Sequence, residues 1–169
     1  SLHMIEEAYQ ITETHDQVEL GARVTISEFR HYLKCHLPEY AQYIDLFASP
    51  QIKNAATVIG NIANASPIGD NAPALLALNA TITLRSADET RTIPLSDFFL
   101  GYRKTECRPN ELITKLSFKL PQTDSLRIYK NSIRKDLDIS TVNVAINTEL
   151  EQGQFKSVFI GAGGISAIP

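Results

Sequence analysis

A stretch rich in small and polar residues, 51–73, could bind a phosphate or pyrophosphate group. It reads QIKNAATVIGNIANASPIGDNAP. Gly60 and Gly69 allow the backbone to come close to a ligand, and short hydroxyl and amide side chains lie around them. Backbone N–H groups in such a loop can bind an anion, especially where a helix begins directly after it. The same residue types also make ordinary turns, so the pattern by itself leaves both interpretations open.

The stretch matches neither of the two common nucleotide-binding motifs. No Gly-Lys-Ser/Thr follows, as a Walker A loop requires, and the glycines are wrongly spaced for GxGxxG. A second glycine run, GAGG at residues 161–164, is followed by no lysine and no helix cap. We therefore expect a turn at the end of a strand there.

Other kinds of site chemistry have little support. We recognise no nucleophile, paired carboxylates or Ser/His/Asp set, so we assign no catalytic residue. His31 stands four residues before Cys35 on a predicted helix, but two ligands are too few for a structural zinc site. We expect Cys35 to be a reduced, buried thiol and the nearby imidazoles to be at the surface.

Composition excludes several classes of protein. The chain has 169 residues, of which 43% are hydrophobic and 21% charged, with a net charge of −3. That balance argues against binding to a nucleic acid backbone. No apolar run approaches the roughly 20 residues that a membrane helix needs, and the first residues do not resemble a signal peptide. We expect a cytoplasmic location.

Two short strands followed by two helices are predicted before the candidate loop. Short strands are predicted over residues 9–12 and 18–22, and Thr25 with Glu28 predicts a capping box that opens a helix. Pro38 suits the first turn of a second helix, whose apolar face would include Phe47 and Ala48. After the loop, Asp70 or Asn71 can cap a buried helix.

Beyond Asn79 the periodicity changes from helical to alternating. This pattern predicts strands over residues 80–85, 90–93, 112–118, 126–129, 141–148 and 155–161. The linker LPQTDS at 120–125 separates the last three from the rest. The sequence thus predicts an α+β fold with two units, residues 1–121 and 122–169.

Two long blocks of sequence resemble one known family. Residues 52–62 followed by 65–70 fit the loose pattern hydrophobic-(Lys/Arg)-x-x-Ala-(Ser/Thr)-(Val/Ile)-Gly-Gly-Asn-Ile, then Ala-Ser-Pro-x-(Ser/Gly)-Asp. Residues 94–113, PLSDFFLGYRKTECRPNELI, fit a second pattern around GYRKT. Both patterns are similar to the FAD domain of the molybdenum hydroxylases, closest to the xanthine dehydrogenase group. Ile59 departs from the family, because it replaces the first glycine of the Gly-Gly pair.

The resemblance implies a fold and an extent. We expect a PCMH/VAO-type FAD-binding subdomain, an antiparallel sheet with flanking helices, followed by a small antiparallel-sheet C-terminal flavoprotein subdomain. Nothing like the family's first phosphate-binding loop occurs here, so the chain is expected to be a truncated fragment without the N-terminal FAD subdomain. Apolar surface left open in this way could lead to a homo-oligomer.

The resemblance also implies a set of FAD-binding residues. Phe47 and Ala48 match positions that pack near the flavin, and Asp70 matches an acid that binds the cofactor's polar chain or sugar. Ile113 and Lys130 match residues beside the isoalloxazine ring. The loop that touches the diphosphate and ribityl region corresponds to Thr57, Val58, Ile59, Gly60 and Asn61.

Three of these residues also have a simpler interpretation. Phe47 has the pattern of a core aromatic residue, and Asp70 that of a helix N-cap. Lys130 on a strand is typical of a solvated surface residue.

In the resembled family, FAD takes electrons from 2Fe-2S clusters and passes them to NAD while a purine is oxidised at a molybdopterin centre. The implied partners are therefore NAD and the iron–sulfur and molybdopterin domains or subunits, with no nucleic acid and no membrane. This chain is expected to be inactive by itself. Two alternatives stay open: the flavin segment of a CO dehydrogenase or acyl-CoA reductase, and a non-catalytic interaction module that has lost its cofactor.

Overall fold

The computed structural model describes residues 4–122, 124–135 and 137–169. A 3-10 helix, Glu6–Tyr9, comes first. The α-helices are α1 (Ile26–His36), α2 (Pro38–Asp45), α3 (Pro50–Ala55), α4 (Val58–Ala63), α5 (Asn71–Ala77) and α6 (Leu95–Phe98). The strands are β1 (Ile11–Thr14), β2 (Gln17–Gly21), β3 (Thr81–Arg85), β4 (Thr90–Pro94), β5 (Phe99–Gly101), β6 (Lys104–Thr105), β7 (Leu112–Lys119), β8 (Leu126–Asn131), β9 (Val142–Glu151) and β10 (Gln154–Gly163).

A five-stranded antiparallel sheet of order β1-β2-β7-β3-β4 carries the main core on one face. Val18 and Leu20 of β2 are fully buried, whereas the other residues of the strand are half-buried, as a two-residue alternation requires. Phe29 of α1 packs edge-on against Phe118 of β7 and Tyr40 of α2, with ring centroids 6.1 and 5.5 Å apart. These contacts hold the first two helices on the sheet.

A second sheet, of order β10-β9-β8, packs on the helices rather than on the first sheet. Helix α5 contacts β9 and β10, and α2 contacts β8. Gly161 is required for this packing, because a Cβ there would clash with the carbonyl oxygen of Pro73. A Cβ at Gly163 would clash with the side chain of Asn143. The glycine run predicted as a strand-end turn therefore lets β10 approach α5, and Gly164 turns the chain with a φ of +86°.

Most predicted elements are confirmed. The capping box of α1 is present, with Glu28 N–H donating to Thr25 Oγ1 at 3.2 Å and Thr25 N–H donating to Glu28 Oε2 at 2.8 Å. The hairpin of β3 and β4 and the strands β7 to β10 lie where alternation placed them. Thr123 of the predicted linker lies outside the described residues.

Three local predictions were wrong. Tyr9 belongs to the 3-10 helix, and β1 begins at Ile11. Helix α2 ends at Asp45, so Phe47 and Ala48 lie in the turn that follows it, where Ala48 has a φ of +43°. Cys35 is exposed rather than buried.

The candidate loop contains two short helices, although its glycines and asparagines are typical of a turn. Ser49 caps α3 by accepting from Ile52 N–H at 3.4 Å, and Thr57 caps α4 by accepting from Gly60 N–H at 2.9 Å. These short hydroxyl side chains satisfy N–H groups at helix starts, so they favour two short helices over an open loop. Among the described residues, no helix is long and apolar enough to cross a membrane.

Candidate functional site

A buried ion pair joins the second sheet to the start of α5. Lys130 Nζ of β8 lies 2.8 Å from Asp70 Oδ2, and the two side chains are only 2% and 8% exposed. The isolated sequence pattern suggested a solvated lysine. The packing of β8 against α2 instead removes this side chain from water, which is costly for an ammonium group unless a charge faces it.

Three neutral side chains also donate to the Asp70 carboxylate. Ser140 Oγ and Asn143 Nδ2 donate to Asp70 Oδ1, the second at 3.2 Å. Tyr43 OH of α2 lies 3.3 Å from the same oxygen and 3.0 Å from the Asp70 carbonyl oxygen. We call these five residues, Tyr43, Asp70, Lys130, Ser140 and Asn143, the Asp70 cluster.

Asp70 does not act as the helix cap that its position suggested. It occupies the N-cap position of α5, but its backbone is already helical, with a φ of −69°, and its side chain makes no capping hydrogen bond. The two oxygens of its carboxylate instead lie within hydrogen-bond distance of the four donors of the cluster. A direct contact between Asp70 and a cofactor would therefore have to displace one of them.

The pKa of Tyr43 is raised strongly, first by burial and then by the nearby Asp70 charge. Its phenol therefore remains protonated around neutral pH and can donate to Asp70. The phenol oxygen also accepts from Asn143 Nδ2 at 3.0 Å.

A second polar contact connects α4 to the cluster. Asn71, next to Asp70 in the chain, donates through Nδ2 to Asn61 Oδ1 at 3.1 Å. Asn71 Oδ1 in turn accepts from Tyr40 OH of α2 at 3.1 Å. The structure thus brings three of the predicted site residues, Asn61, Asp70 and Lys130, into one connected region.

Helix α4 presents a bare backbone position to solvent. Gly60 is exposed, whereas Val58 and Ile59 are buried in the core, at 0% and 5% exposure. The side chain of Ile59, which replaces a family glycine, therefore adds to the core. Half-buried Thr57 and Asn61 flank this turn.

The remaining predicted residues lie outside the hydrogen-bonded cluster. Phe47 is half-buried and packs against the core, and Ala48 follows it in the turn before α3. Ile113 is half-buried at the start of β7, opposite Leu84 and beside an irregularity in the strand register.

Sequence reasoning missed Tyr43, Ser140 and Asn143. One signal was available for Asn143, since it alternates with Ala145 and Asn147 on the buried face of β9. A polar residue at an inward position of a strand needs a partner, which marks it as worth pursuing. No comparable local signal exists for Tyr43 or Ser140.

The groups in this region fit part of an FAD molecule. Gly60 offers an exposed position without a side chain, Asn61 and Thr57 offer amide and hydroxyl groups, and Lys130 offers a cation. Among the described residues, the Lys130 ammonium has Asp70 as its one hydrogen-bond partner. Two of its three N–H groups therefore remain for further acceptors, and the oxygen atoms of an anionic cofactor would fit them. No group of three His, Cys, Asp or Glu side chains in the described ranges could hold a metal ion.

Two family models together match most of the chain. Residues 1–122 match the family model described as the FAD binding domain in molybdopterin dehydrogenase. Residues 127–169 match the model of the CO dehydrogenase flavoprotein C-terminal domain.

Individual relatives come from the same group of enzymes. A nicotinate hydroxylase of Emericella nidulans is 44% identical over 120 residues, covering 69% of this chain and 9% of the relative. A xanthine dehydrogenase of the same organism is 33% identical over 171 residues, covering 91% of this chain and 12% of the relative. The chain therefore spans about a tenth of the length of these curated relatives.

Solved structures show the same fold. A reconstituted CO dehydrogenase from Oligotropha carboxidovorans matches with a TM-score of 0.88 and 27% identity, over 97% of this chain and 58% of that chain. A CO dehydrogenase from Hydrogenophaga pseudoflava matches with a TM-score of 0.90 and 24% identity, over 98% and 58%. From these matches, the chain belongs to the FAD-binding domains of the molybdenum hydroxylase family.

Proposed function

We propose that this chain is the flavin segment of a xanthine dehydrogenase, in which FAD takes electrons from 2Fe-2S clusters and passes them to NAD during purine oxidation. The observation that carries the proposal is a buried lysine, Lys130, with hydrogen-bonding capacity to spare in a domain of an FAD-binding family. A xanthine dehydrogenase aligns with 91% of the chain, which supports this enzyme class.

Each predicted residue has a role in holding the cofactor. Thr57, Gly60 and Asn61 would lie along the diphosphate and ribityl chain, where an exposed glycine permits close approach. Val58 and Ile59 anchor that turn in the core. When bound, FAD supplies the electron-transfer chemistry, and the protein supplies placement and electrostatics.

The other predicted residues act at the ring end of the flavin. Phe47, Ala48 and Ile113 would shield it through apolar contact, and Lys130 would place a positive charge beside it. A cation there stabilises the anionic reduced flavin, so it favours electron uptake. Asp70 holds that cation in place.

The partners in this proposal lie outside the chain. They are NAD, iron–sulfur and molybdopterin domains or subunits, and an N-terminal FAD subdomain that would supply a first phosphate-binding loop. Exposed apolar side chains on β10, such as Phe155 and Ile160, are compatible with contact to further protein surface or to a second copy. We also propose a cytoplasmic location, in which the free thiols Cys35 and Cys107 stay reduced.

A second candidate keeps the flavin step and changes the oxidised substrate. The nicotinate hydroxylase is more similar, at 44% identity, than the xanthine dehydrogenase, at 33%. That observation favours a pyridine carboxylate as an alternative to a purine. In both cases the substrate is oxidised at a centre outside this chain, so the roles of Lys130 and Gly60 are the same.

Titration with FAD tests the proposal. The chain is titrated alone and joined to an upstream segment that carries a phosphate-binding loop, and flavin fluorescence and absorbance are followed. We expect tight binding in the extended form and bleaching of the bound flavin by NADH without oxygen. Bleaching of the complete enzyme by xanthine but not nicotinate would support the first candidate, and the reverse the second. Absence of FAD binding in both forms would contradict the proposal and favour a non-catalytic interaction module.

A further inference from the structure

We propose that Tyr43, Ser140 and Asn143 are positioning residues for Lys130, which they reach through the carboxylate of Asp70. The proposal rests on the proposed function, because it concerns how the chain presents a cation to the flavin. None of the three residues is assigned a direct contact with the cofactor.

The two oxygens of Asp70 have different partners. Oδ1 accepts from the neutral donors Ser140, Asn143 and Tyr43, and Oδ2 accepts from the Lys130 ammonium at 2.8 Å. Neutral donors withdraw negative charge from a carboxylate and fix its plane. This division leaves Oδ2 with Lys130 as its partner and holds the carboxylate in one orientation toward the ammonium.

The side-chain amide of Asn143 is held in one orientation within the cluster. Its side chain is 1% exposed, and its Nδ2, which has two hydrogens to donate, lies 3.0 Å from Tyr43 OH, 3.2 Å from Asp70 Oδ1 and 3.4 Å from the Gly69 carbonyl oxygen. Within the described residues, its Oδ1 is buried without a hydrogen-bond partner. A buried unsatisfied acceptor costs free energy. The amide is therefore held to donate toward Asp70 at the expense of its own acceptor.

The three donors come from separate parts of the fold. Tyr43 lies on α2, Ser140 directly precedes β9, and Asn143 lies within β9. Asp70 lies before α5 and Lys130 on β8, so the cluster joins the second sheet to α2 and α5. Small shifts between these elements would move the ammonium.

Loss of a donor should change what Lys130 offers to the flavin. With fewer neutral donors, the Asp70 carboxylate keeps more of its negative charge and attracts the Lys130 ammonium more strongly. The ammonium then moves closer to the carboxylate. Its two remaining N–H groups would then point less well at an acceptor. The reduced, anionic flavin should lose more affinity than the oxidised, neutral ring.

The chain provides a matched control on the same strand. Asn147 lies on the same face of β9 as Asn143, is also buried, and accepts from Ser125 Oγ at 2.9 Å. Neither Ser125 nor Asn147 has a hydrogen bond to Asp70 or Lys130 in the described part of the chain. Asn147→Ala and Ser125→Ala therefore reproduce the packing loss without touching the cluster.

The experiment compares Ser140→Ala and Asn143→Ala with these controls in the flavoprotein that contains this chain. The affinities for oxidised and reduced FAD are derived from titration and from the midpoint potential. We expect each cluster variant to lose about tenfold of the preference for reduced over oxidised flavin, equivalent to about 30 mV for a two-electron couple. Ser140→Thr, which keeps the hydroxyl, should restore the wild-type value, and the controls should stay at it.

A second readout needs no cofactor. Reductive methylation of the 169-residue chain, followed by mass spectrometry, measures how well each lysine is protected. We expect Lys130 to be protected in the wild type and in Asn147→Ala, and to react at least several-fold faster in Asn143→Ala. Lys156, which is exposed in all forms, serves as the internal standard.

The outcomes separate the two proposals. If wild-type protein binds FAD but cluster and control variants have the same potential and the same Lys130 reactivity, the positioning role is wrong. If wild-type protein binds no FAD while Lys130 reactivity responds as expected, the proposed function fails and the positioning of Lys130 stands. If Asn143→Ala does not fold, Ser140→Ala decides the question.

Discussion

Asp70 and Glu111 are two buried carboxylates that each face a basic side chain, but their surroundings differ. Glu111 is 3% exposed and pairs with Arg91, with Nε 2.7 Å from Oε1 and Nη2 2.9 Å from Oε2. Asp70 is 8% exposed and pairs with Lys130 through one oxygen, while neutral donors fill the other. Both pairs cross between elements, since Arg91 lies on β4 and Lys130 on β8.

The cations use their donors differently. Among the described residues, Arg91 makes four hydrogen bonds, two to the Glu111 carboxylate and two to Glu106. Lys130 makes one, to Asp70. An arginine has five N–H donors and a lysine three, so Arg91 is nearly saturated and Lys130 is not. The Arg91–Glu111 pair is therefore a structural ion pair, whereas the Asp70–Lys130 pair keeps hydrogen-bonding capacity for another acceptor.

The largest effect is expected from Asp70→Ala. This variant leaves the Lys130 ammonium buried without a charged partner, and we expect a loss of about 3–5 kcal/mol in the free energy of unfolding, measured with urea. Removing both charges in Asp70→Leu/Lys130→Met should recover much of that loss. A double variant no more stable than Asp70→Ala would show that the pair is not the source of the effect.

Glu111 should contribute most of the acid sensitivity of the first sheet. Hydrogen bonds from Arg91 and from the Arg108 N–H lower the pKa of its carboxyl from 4.5 to about 2. A depressed folded-state pKa means that the stabilisation is fully present above pH 4.5 and is lost as the pH falls toward 2.

Melting temperatures between pH 7 and pH 2 test that prediction. Glu111→Gln should be less stable than the wild type at neutral pH, and the difference should shrink as the acid range is entered. A constant difference across the range would contradict the assignment. Lys156→Gln, at an exposed position, should leave the pH profile unchanged.

The two serines Ser140 and Ser125 differ in the charge of the group that accepts their hydrogen bond. Ser140 donates to the Asp70 carboxylate, and Ser125 donates to the amide oxygen of Asn147. We expect Ser140→Ala to cost about 1.5–3 kcal/mol and Ser125→Ala about 0.5–1.5 kcal/mol in urea unfolding. Equal costs would mean that the Asp70 cluster is energetically an ordinary polar contact.

The smallest effect is expected from Arg91→Lys. The charge is kept, but an ammonium cannot reproduce the two parallel hydrogen bonds to Glu111 or the contacts to Glu106. We expect the melting temperature to fall by about 2–4 °C. An unchanged melting temperature would show that geometry matters little in this pair and would weaken the contrast with Lys130.

Much of the fold could be predicted because its signals are local. The capping box of α1 needs residues three positions apart, and the hairpin of β3 and β4 needs alternation over short runs. Some predictions failed because nearby residues favoured a different local structure. Ser49 and Thr57 cap two short helices where a loop was predicted, and α2 ends before Phe47.

The candidate site could be predicted only in part. The resemblance of residues 52–70 and 94–113 pointed to the FAD family, which the family models confirm. It named Asp70 and Lys130 but did not show that they are buried against each other. Tyr43 and Ser140 went unnoticed because they have the local pattern of ordinary helix and loop residues, and the polar inward position of Asn143 was overlooked.

By itself, the sequence determined the α+β architecture, the family and the positions of most strands, because these depend on patterns that span a few residues. Tertiary structure decided that Lys130 is a buried cation. Its partner Asp70 is 60 residues away, and Ser140 and Asn143 are 70 and 73 residues from Asp70. A lysine on a strand has the same sequence pattern whether its ammonium group is solvated by water or paired with a carboxylate. The packing of the second sheet on α2 and α5 removes the water, and desolvation then requires the carboxylate.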